Sequence, residues 1–377
     1  MHIALITPFS PEIGGGSVQL RSLLPEMRDL DITWYYLADS ATAAERCHWL
    51  GKPLSRRQFV SDLFARTGFL PGSIAAVREL IQRIPADVYW VVAHNEGVSI
   101  AAELCAKGKR VHLTVHDDPV CLFQRSLRLR AFTPLISHHL PRLLRAVDSI
   151  DVISPSLQDA YKRRYNVNSF SVYRYLAELP RFDYLPAPGT LTIGHIGSLY
   201  HPKPFRHFIA ACRQYAAEEK LGLKILRIGS SPEMDIVANE QPELFQAKGE
   251  LDEHDALPIL AACDFVYAMY PDGKRFRCFR QTSLPMKLST YIQAQRPIFA
   301  HTPSDSSLAS IVGKYKLGAV CTTIDELKLR DALLALLQTE IPRSRFEQVH
   351  AELMGPGPLL RLRAALTGEA LRPAAQM

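Results

Sequence analysis

The sequence has no CxxC pair and no Cys/His run at zinc-ligand spacing. Its seven cysteines, Cys47, Cys105, Cys121, Cys212, Cys263, Cys278 and Cys321, form an odd and scattered set. Such usage is that of a reducing compartment. Nowhere do 18 apolar residues run without a charge, and the opening MHIALITPFSPEIGGG places no basic segment before a long apolar one. Neither a membrane-spanning helix nor a secretory leader is therefore expected, and a cytoplasmic location is. The GxGxxG dinucleotide fingerprint is missing, as is any RNA- or DNA-binding module, so nucleic acid is not an expected partner.

What is present is ordinary globular material, with 47% apolar and 22% charged residues over a length of 377. That length exceeds the roughly 250–300 residues at which single cores stop growing, so two domains are expected. Lys plus Arg number 44 against 38 Asp plus Glu, a net charge of +6 that suits an anionic partner without requiring one.

Short apolar runs alternate with helical periodicity, the signature of parallel sheets covered on both faces. HIALIT from 2, ITWYYLA from 32, VYWVVAH from 88, VHLTVHD from 111 and SIDVIS from 149 read as strands, with SFSVYRYL from 169 as a weaker sixth. Pro180, Pro186, Pro188 and Gly189 then crowd a stretch without periodicity, which reads as a linker. Alternation restarts with LTIGHIG from 191, LKILRIG from 223, DFVYAMY from 264, PIFAH from 297 and GAVCT from 318. The expected class is α/β, with two Rossmann-like doubly wound parallel-sheet domains, 1–177 and 190–342, facing a cleft. Helices over 343–377, broken by GPGP, are expected to pack back across the domains. In such folds ligands bind outside the carboxyl ends of the strands.

Several residues fall at those ends. Gly14, Gly15 and Gly16 lie between the first strand and a helix, where small residues let backbone amides approach a negative group. His116, Asp117 and Asp118 end the fourth strand. Adjacent strand residues point to opposite faces, so the two aspartates do not chelate a metal and none is expected. His116 offers an imidazole donor and acceptor near neutral pH. His94, Asn95 and Glu96 follow the preceding strand. In the second half, Lys203 stands at a helix start, where a cation is favoured if an anion lies between it and the helix. The segment PDGKRFRCFRQTSLPMKLSTYIQAQRPIFA from Pro271 reads as a basic loop, Lys274, Arg275, Arg277 and Arg280, opposed only by Asp272. It leads into a helix capped by Ser283 with Pro285 in its first turn. Two more basic, aromatic-bearing stretches, 52–83 and 122–147, suit an anionic lipid surface or a plain solvated face; the second carries Arg125, Arg128, Arg130, Arg142 and Arg145 and no acid.

Taken in order, the Gly-rich loop, HDDP, IGSLYHPK, GELDEHDALPILAACDFVYAMY and SLPMKLSTYIQAQRPIFA make the chain resemble the retaining glycosyltransferases of GT-B fold, family 4 and its relatives. The resemblance covers nearly the whole length. It implies a nucleotide-diphosphate sugar as co-substrate, no other cofactor and no metal. The acceptor it implies is a glycan or lipid-linked molecule, in surface polysaccharide or glycolipid assembly, with peripheral attachment to the inner face of the membrane. Gly15 and Gly16 would contact the donor, His116 with Asp117 would lie beside the transferred sugar, and Lys203 would bind the diphosphate. Gly249 to Asp252, with Leu251, would meet the base. Ser283 and Leu284 would lie by the phosphates, and His94, Asn95, Arg125 and Arg128 on the acceptor side. Three positions depart from the family. Ser198 replaces a basic residue, and Thr282 and Thr290 stand where a spaced pair of glutamates is usual, the second of which contacts ribose hydroxyls. Arg280 or Lys287 would then supply the missing phosphate charge. A non-catalytic sugar-nucleotide or partner-binding protein, or a sugar-nucleotide epimerase of the same architecture, are the alternative readings.

Overall fold

Every strand pairing in the computed structural model is parallel, and each sheet reverses its order once. The structure describes residues 1–12, 14–53, 71–127, 129–183 and 186–369. It divides into two units, Met1–Ala177 with Glu352–Met377, and Glu178–Ala351. In the first, β1 (His2–Thr7), β2 (Asp31–Leu37), β3 (Cys47–Gly51), β4 (Val88–Val92), β5 (Arg110–Val115), β6 (Ser149–Val152) and β7 (Phe170–Ser171) lie in the order β3-β2-β1-β4-β5-β6-β7. In the second, β8 (Thr190–Ile196), β9 (Gly222–Ile228), β10 (Phe245–Ala247), β11 (Phe265–Met269), β12 (Ile298–His301) and β13 (Gly318–Cys321) lie in the order β10-β9-β8-β11-β12-β13. The order reverses between β1 and β4, and again between β8 and β11. At such a switch point adjacent loops leave on opposite faces and open a crevice for ligand.

Two strands carry no readable pattern in the sequence. β3, CHWLG, is an edge strand with every residue at least partly exposed, and β10 is three residues long. The weak sixth strand of the first half shrinks to Phe170–Ser171.

The central strands bury both faces, which is why they read as unbroken apolar runs. In the first unit Ile3, Leu5, Trp34, Tyr36, Trp90 and Val92 form a core completed by Leu359, Leu362 and Leu366 of the last helix, Pro356–Thr367. Arg110 fastens that helix by donating to the carbonyls of Ala365 and Thr367 at 3.0 and 3.4 Å. Arg363 does the same from the other side, pairing with Asp29. A buried polar chain crosses the same sheet: Trp90 donates to Thr114, Thr114 to Asp151, and Asp151 lies 2.8 Å from His112. The second unit is centred on aromatic rings, with Phe208 4.5 Å from Tyr267 and 4.7 Å from Phe299 between centroids. No helix among the described residues is long and apolar enough to cross a membrane.

Candidate active site

In the first unit the switch-point loops bring Phe9, Gly16, His94 and His116 together. Gly14 enters the helix Gly15–Leu23 at φ 100°, and Gly16 on the first turn lies flat against the His116 ring. A Cβ on Gly16 would stand 2.6 Å from His116 Nδ1 and 2.9 Å from Phe9, so a side chain there displaces the imidazole. Burial, with His94 adding to it, pushes His116 down to about 3, so the ring is neutral at physiological pH. Its Nε2 is buried and has no hydrogen-bond partner among the described residues. A neutral imidazole with an unsatisfied nitrogen can donate to or accept from a substrate hydroxyl, and leaving it unmet is costly.

The two aspartates that follow, beyond the end of β5, differ in exposure. Asp117 is half-buried, whereas Asp118 is 1% exposed and caps the helix Pro119–Arg125 by accepting from Val120 at 2.8 Å. Burial raises Asp118 to about 6.

At the carboxyl end of β4, Asn95 takes φ 45° and bends the chain sharply into the helix Gly97–Ala106. Such a conformation is uncommon outside glycine and is held here by the packed turn around it. His94, Asn95 and Arg125 line one pocket of about 270 Å3, together with Phe123 and Ser126. Three of the four acceptor-side residues expected from sequence thus share a cavity; Arg128 lies outside the described residues.

In the second unit the loops after β8, β9 and β10 interlock. Gly229 takes φ 80° and donates to Gly249 at 2.7 Å, while Gly197 donates to Ile228 at 2.9 Å. A Cβ on Gly229 would sit 3.5 Å from Gly197 N, so these turns pack backbone to backbone. Glu250 closes the turn after β9 by accepting from Ser230 N and Oγ, both at 3.0 Å. Leu251 is half-buried beside it.

Lys287 opens the helix Lys287–Ala294 and reaches back over the first of these loops. Its Nζ donates to the Ser198 carbonyl at 2.5 Å and lies 3.5 Å from His195 Nε2. No carboxylate pairs with it among the described residues. Desolvation pushes its pKa down to about 7. One turn on, Thr290 donates to Glu253 Oε1 at 2.9 Å, and Gln293 donates to the same oxygen at 2.8 Å. Glu253 carried no signal in the sequence, because its partners lie in another helix.

Three expectations change. Ser283 does not cap the helix that follows; it is the C-cap of Arg277–Thr282, and its carbonyl accepts from Ser307, while the next helix starts at Lys287 beyond a turn containing buried Leu284. Arg280 is not a loose phosphate ligand. It is 8% exposed and grips Asp305 at 2.7 and 3.0 Å while its third nitrogen donates to the carbonyls of Asp272 and Gly273. Asp305, distant in sequence, is thus the counter-charge that the loop itself lacked, and Arg277 lies 3.6 Å from it. Finally, the helix Pro202–Glu218 presents few amides at its start. Pro202 and Pro204 have none, and the amide of Lys203 is taken by His201 Nδ1 at 3.2 Å. Exposed Lys203 can offer only its ammonium. Thr282 spends its hydroxyl on the carbonyl of Cys278 at 2.9 Å, within its own helix.

Residues 13–173 match the model of Glycosyltransferase Family 4. That match falls within the first unit. The whole chain has the fold of the GT-B glycosyltransferases. It is similar to the lipopolysaccharide outer core galactosyltransferase WaaB in its apo form, with TM-score 0.64 at 10% identity over 98% of this chain and 100% of that one. WaaG, a glycosyltransferase involved in lipopolysaccharide biosynthesis, aligns with TM-score 0.60 at 12% identity, covering 97% and 100%. The catalytic domain of starch synthase IV from Arabidopsis thaliana, bound to ADP and acarbose, gives 0.58 at 12%, covering 97% and 99%. No curated protein matches the sequence.

Proposed function

We propose that the protein is a glycosyltransferase that takes a sugar from a nucleoside-diphosphate sugar and places it, with retention, on a glycan or lipid-linked acceptor. The observation that carries this reading is Lys287: a half-buried ammonium at the crevice of the second sheet, held by a carbonyl and opposed by no carboxylate among the described residues. A cation so placed is stabilised by an incoming anion, and a diphosphate leaving group supplies one. Lys203 adds a second, solvated charge. The first unit supplies the acceptor pocket at His94, Asn95 and Arg125, and His116 meets the transferred sugar. WaaB and WaaG, by name, act in lipopolysaccharide synthesis, which favours a cell-surface glycan or glycolipid acceptor. The charge on the diphosphate is met by lysines, so no divalent metal is required and EDTA should leave turnover unchanged.

Calorimetry with UDP and ADP, followed by turnover of their sugar conjugates with candidate acceptors, tests the reading. Lys287→Met should weaken nucleotide binding at least tenfold, since a charge-assisted contact contributes about 1.5–3 kcal/mol. An unchanged affinity would remove Lys287 from the donor site. The threonines at 282 and 290 favour a second reading, a binding protein without turnover. Tight nucleotide binding with no transfer to any acceptor would select it, and interconversion of the sugar nucleotide without acceptor would select an epimerase.

A further inference from the structure

Tyr200 follows β8 and Tyr270 follows β11, the two strands between which the second sheet reverses its order. At this crevice Tyr200 is 36% exposed, yet its ring is held in place. The buried rings of Tyr270 and Phe279 have their centroids 5.6 and 6.0 Å from it and lie 5.5 Å from each other. Rings at such spacings attract one another edge to face, so the three form one fixed cluster with part of Tyr200 turned to solvent. Leu199 beside it is buried, and its amide donates to Ser231 Oγ at 3.3 Å, which anchors the loop from the other side.

Tyr270 and Phe279 also bracket a basic loop. Between them run residues 271–278, PDGKRFRC, folded as the short turn Lys274–Phe276 and the start of the helix Arg277–Thr282. Arg280 closes the base of this loop through the carbonyls of Asp272 and Gly273 while Asp305 holds the guanidinium. Lys274, Arg275 and Arg277 are left exposed. Lys274 and Arg275 have no carboxylate partner among the described residues, Arg275 lying 4.6 Å over the Phe276 ring. Arg277 reaches only to 3.6 Å from an Asp305 oxygen that Arg280 already holds. Fixing three like charges within four residues costs free energy that a bound polyanion recovers.

We propose that Tyr200 and this loop form a contact surface for an acidic glycan, with one sugar ring laid on Tyr200 and carboxylate or phosphate groups of the chain on Lys274, Arg275 and Arg277. The proposal rests on the glycosyltransferase reading above and names the chemical class of its acceptor. A pyranose presents C–H groups on one face, and the electron-rich face of a tyrosine ring attracts them without using the hydroxyl. Arginine meets a carboxylate or phosphate through two parallel bonds and lysine through a compact charge, so a row of both suits anions repeated along a chain. Since both rings that bracket the basic loop pack on Tyr200, platform and charges belong to one rigid piece, and such a surface needs little ordering when a ligand arrives. Lipid headgroups would supply anions but no ring to stack, and a polyphosphate would supply the charge alone.

The probes are oligogalacturonate, a chain of acidic sugars; its methyl ester, with the same rings and no charge; inorganic polyphosphate, with charge and no rings; and vesicles of phosphatidylglycerol and phosphatidylcholine. In calorimetry at low salt the wild-type protein should bind oligogalacturonate at least tenfold more tightly than the ester, an advantage that shrinks as salt is raised. Combined Lys274→Ser, Arg275→Ser and Arg277→Ser should remove that advantage. Tyr200→Ala should weaken oligogalacturonate binding about fivefold and leave polyphosphate binding unchanged, and Tyr200→Phe should match the wild type. The variants, confirmed as folded by circular dichroism, should bind UDP and ADP as the wild type does. Should Tyr200→Ala not fold, Tyr200→Leu, which keeps the packing and lacks the aromatic face, takes its place with the same expectation. Equal affinity of the wild type for acid and ester overturns the proposal. So does a Tyr200 variant that binds oligogalacturonate undiminished, which would reduce the loop to a plain charged surface. Vesicle binding that the triple variant loses while it keeps oligogalacturonate would assign the loop to a membrane and overturn it too. If the wild type binds no nucleotide, the donor reading fails, and the glycan measurements still decide this surface.

Discussion

At the scale of single residues, the site contrasts two bases whose pKa values desolvation lowers to very different extents. His116 at about 3 is neutral throughout the range in which enzymes work, so it cannot serve as a general base whose titration limits the rate near pH 6–7. His116→Ala should abolish most turnover, and the wild-type pH profile should show no limb attributable to an imidazole between pH 5 and 8. A limb near 6.5 that disappears in His116→Gln would contradict the buried, neutral ring. Lys287 titrates instead. Its folded value of about 7 lies below the ordinary 10.5, so between those pH values the unfolded chain binds a proton that the native state does not. Stability contributed by this group therefore rises with pH across that window, and nucleotide affinity, which needs the ammonium, falls by up to about tenfold per unit above pH 7. Calorimetry from pH 7 to 9 checks the second statement. Chemical unfolding of wild type and Lys287→Met over the same range checks the first, the variant being expected to lose the upward slope.

At the scale of elements, the loop from Asp272 to Ser283 shows what sequence could and could not reveal. Its charge and its location at the end of β11 are legible, because composition and strand periodicity are local properties, whereas the helix Arg277–Thr282 within it reads as loop in the sequence. The partner of its charge was not, since Asp305 lies 25 residues from Arg280 and meets it only through the fold. The same holds for Glu253 and Thr290, and for the carbonyl that Lys287 grips. Edge strand β3 carries no apolar run to read because it is exposed, and Ser283, two residues before Pro285, fits the end of one helix as well as the start of another. The ion pair gives a testable consequence. Arg280 is nearly buried while Asp305 is about one-third exposed, and Arg280 holds Asp305 below the usual carboxylate range. Asp305→Ala should therefore cost about 1.5–3 kcal/mol, chiefly by stranding the guanidinium. Arg280→Met should cost less, and the double variant should be more stable than the sum of the two predicts. Denaturant midpoints for the four proteins measure this coupling, and additivity within 0.5 kcal/mol would mean the pair is not interacting.

At the scale of the whole molecule, the first unit is discontinuous: its sheet comes from the first 177 residues and part of its core from beyond residue 352. The three leucines of the last helix are each under 8% exposed, and full burial of such a side chain contributes about 1.5–3 kcal/mol, or about 5–9 kcal/mol together. That is comparable with the entire stability of an ordinary domain. Residues 1–177 alone should therefore expose an apolar face over β1, β2 and β4 and fail to unfold cooperatively, whereas 178–351, whose sheet is complete within itself, should fold and still bind nucleotide. The same first unit carries exposed Arg130, Arg142 and Arg145, and a Leu127 that is 81% exposed. Each basic residue near an anionic lipid surface contributes about 1 kcal/mol, an attraction that salt weakens. In liposome sedimentation, full-length protein should partition to vesicles containing anionic lipid at low salt and release as salt rises, and replacing the three arginines with serine should halve or abolish the bound fraction. The isolated 178–351 unit should remain in the supernatant. Equal binding of that unit, or binding indifferent to lipid charge, would place the membrane contact elsewhere and return these arginines to ordinary solvated helix faces.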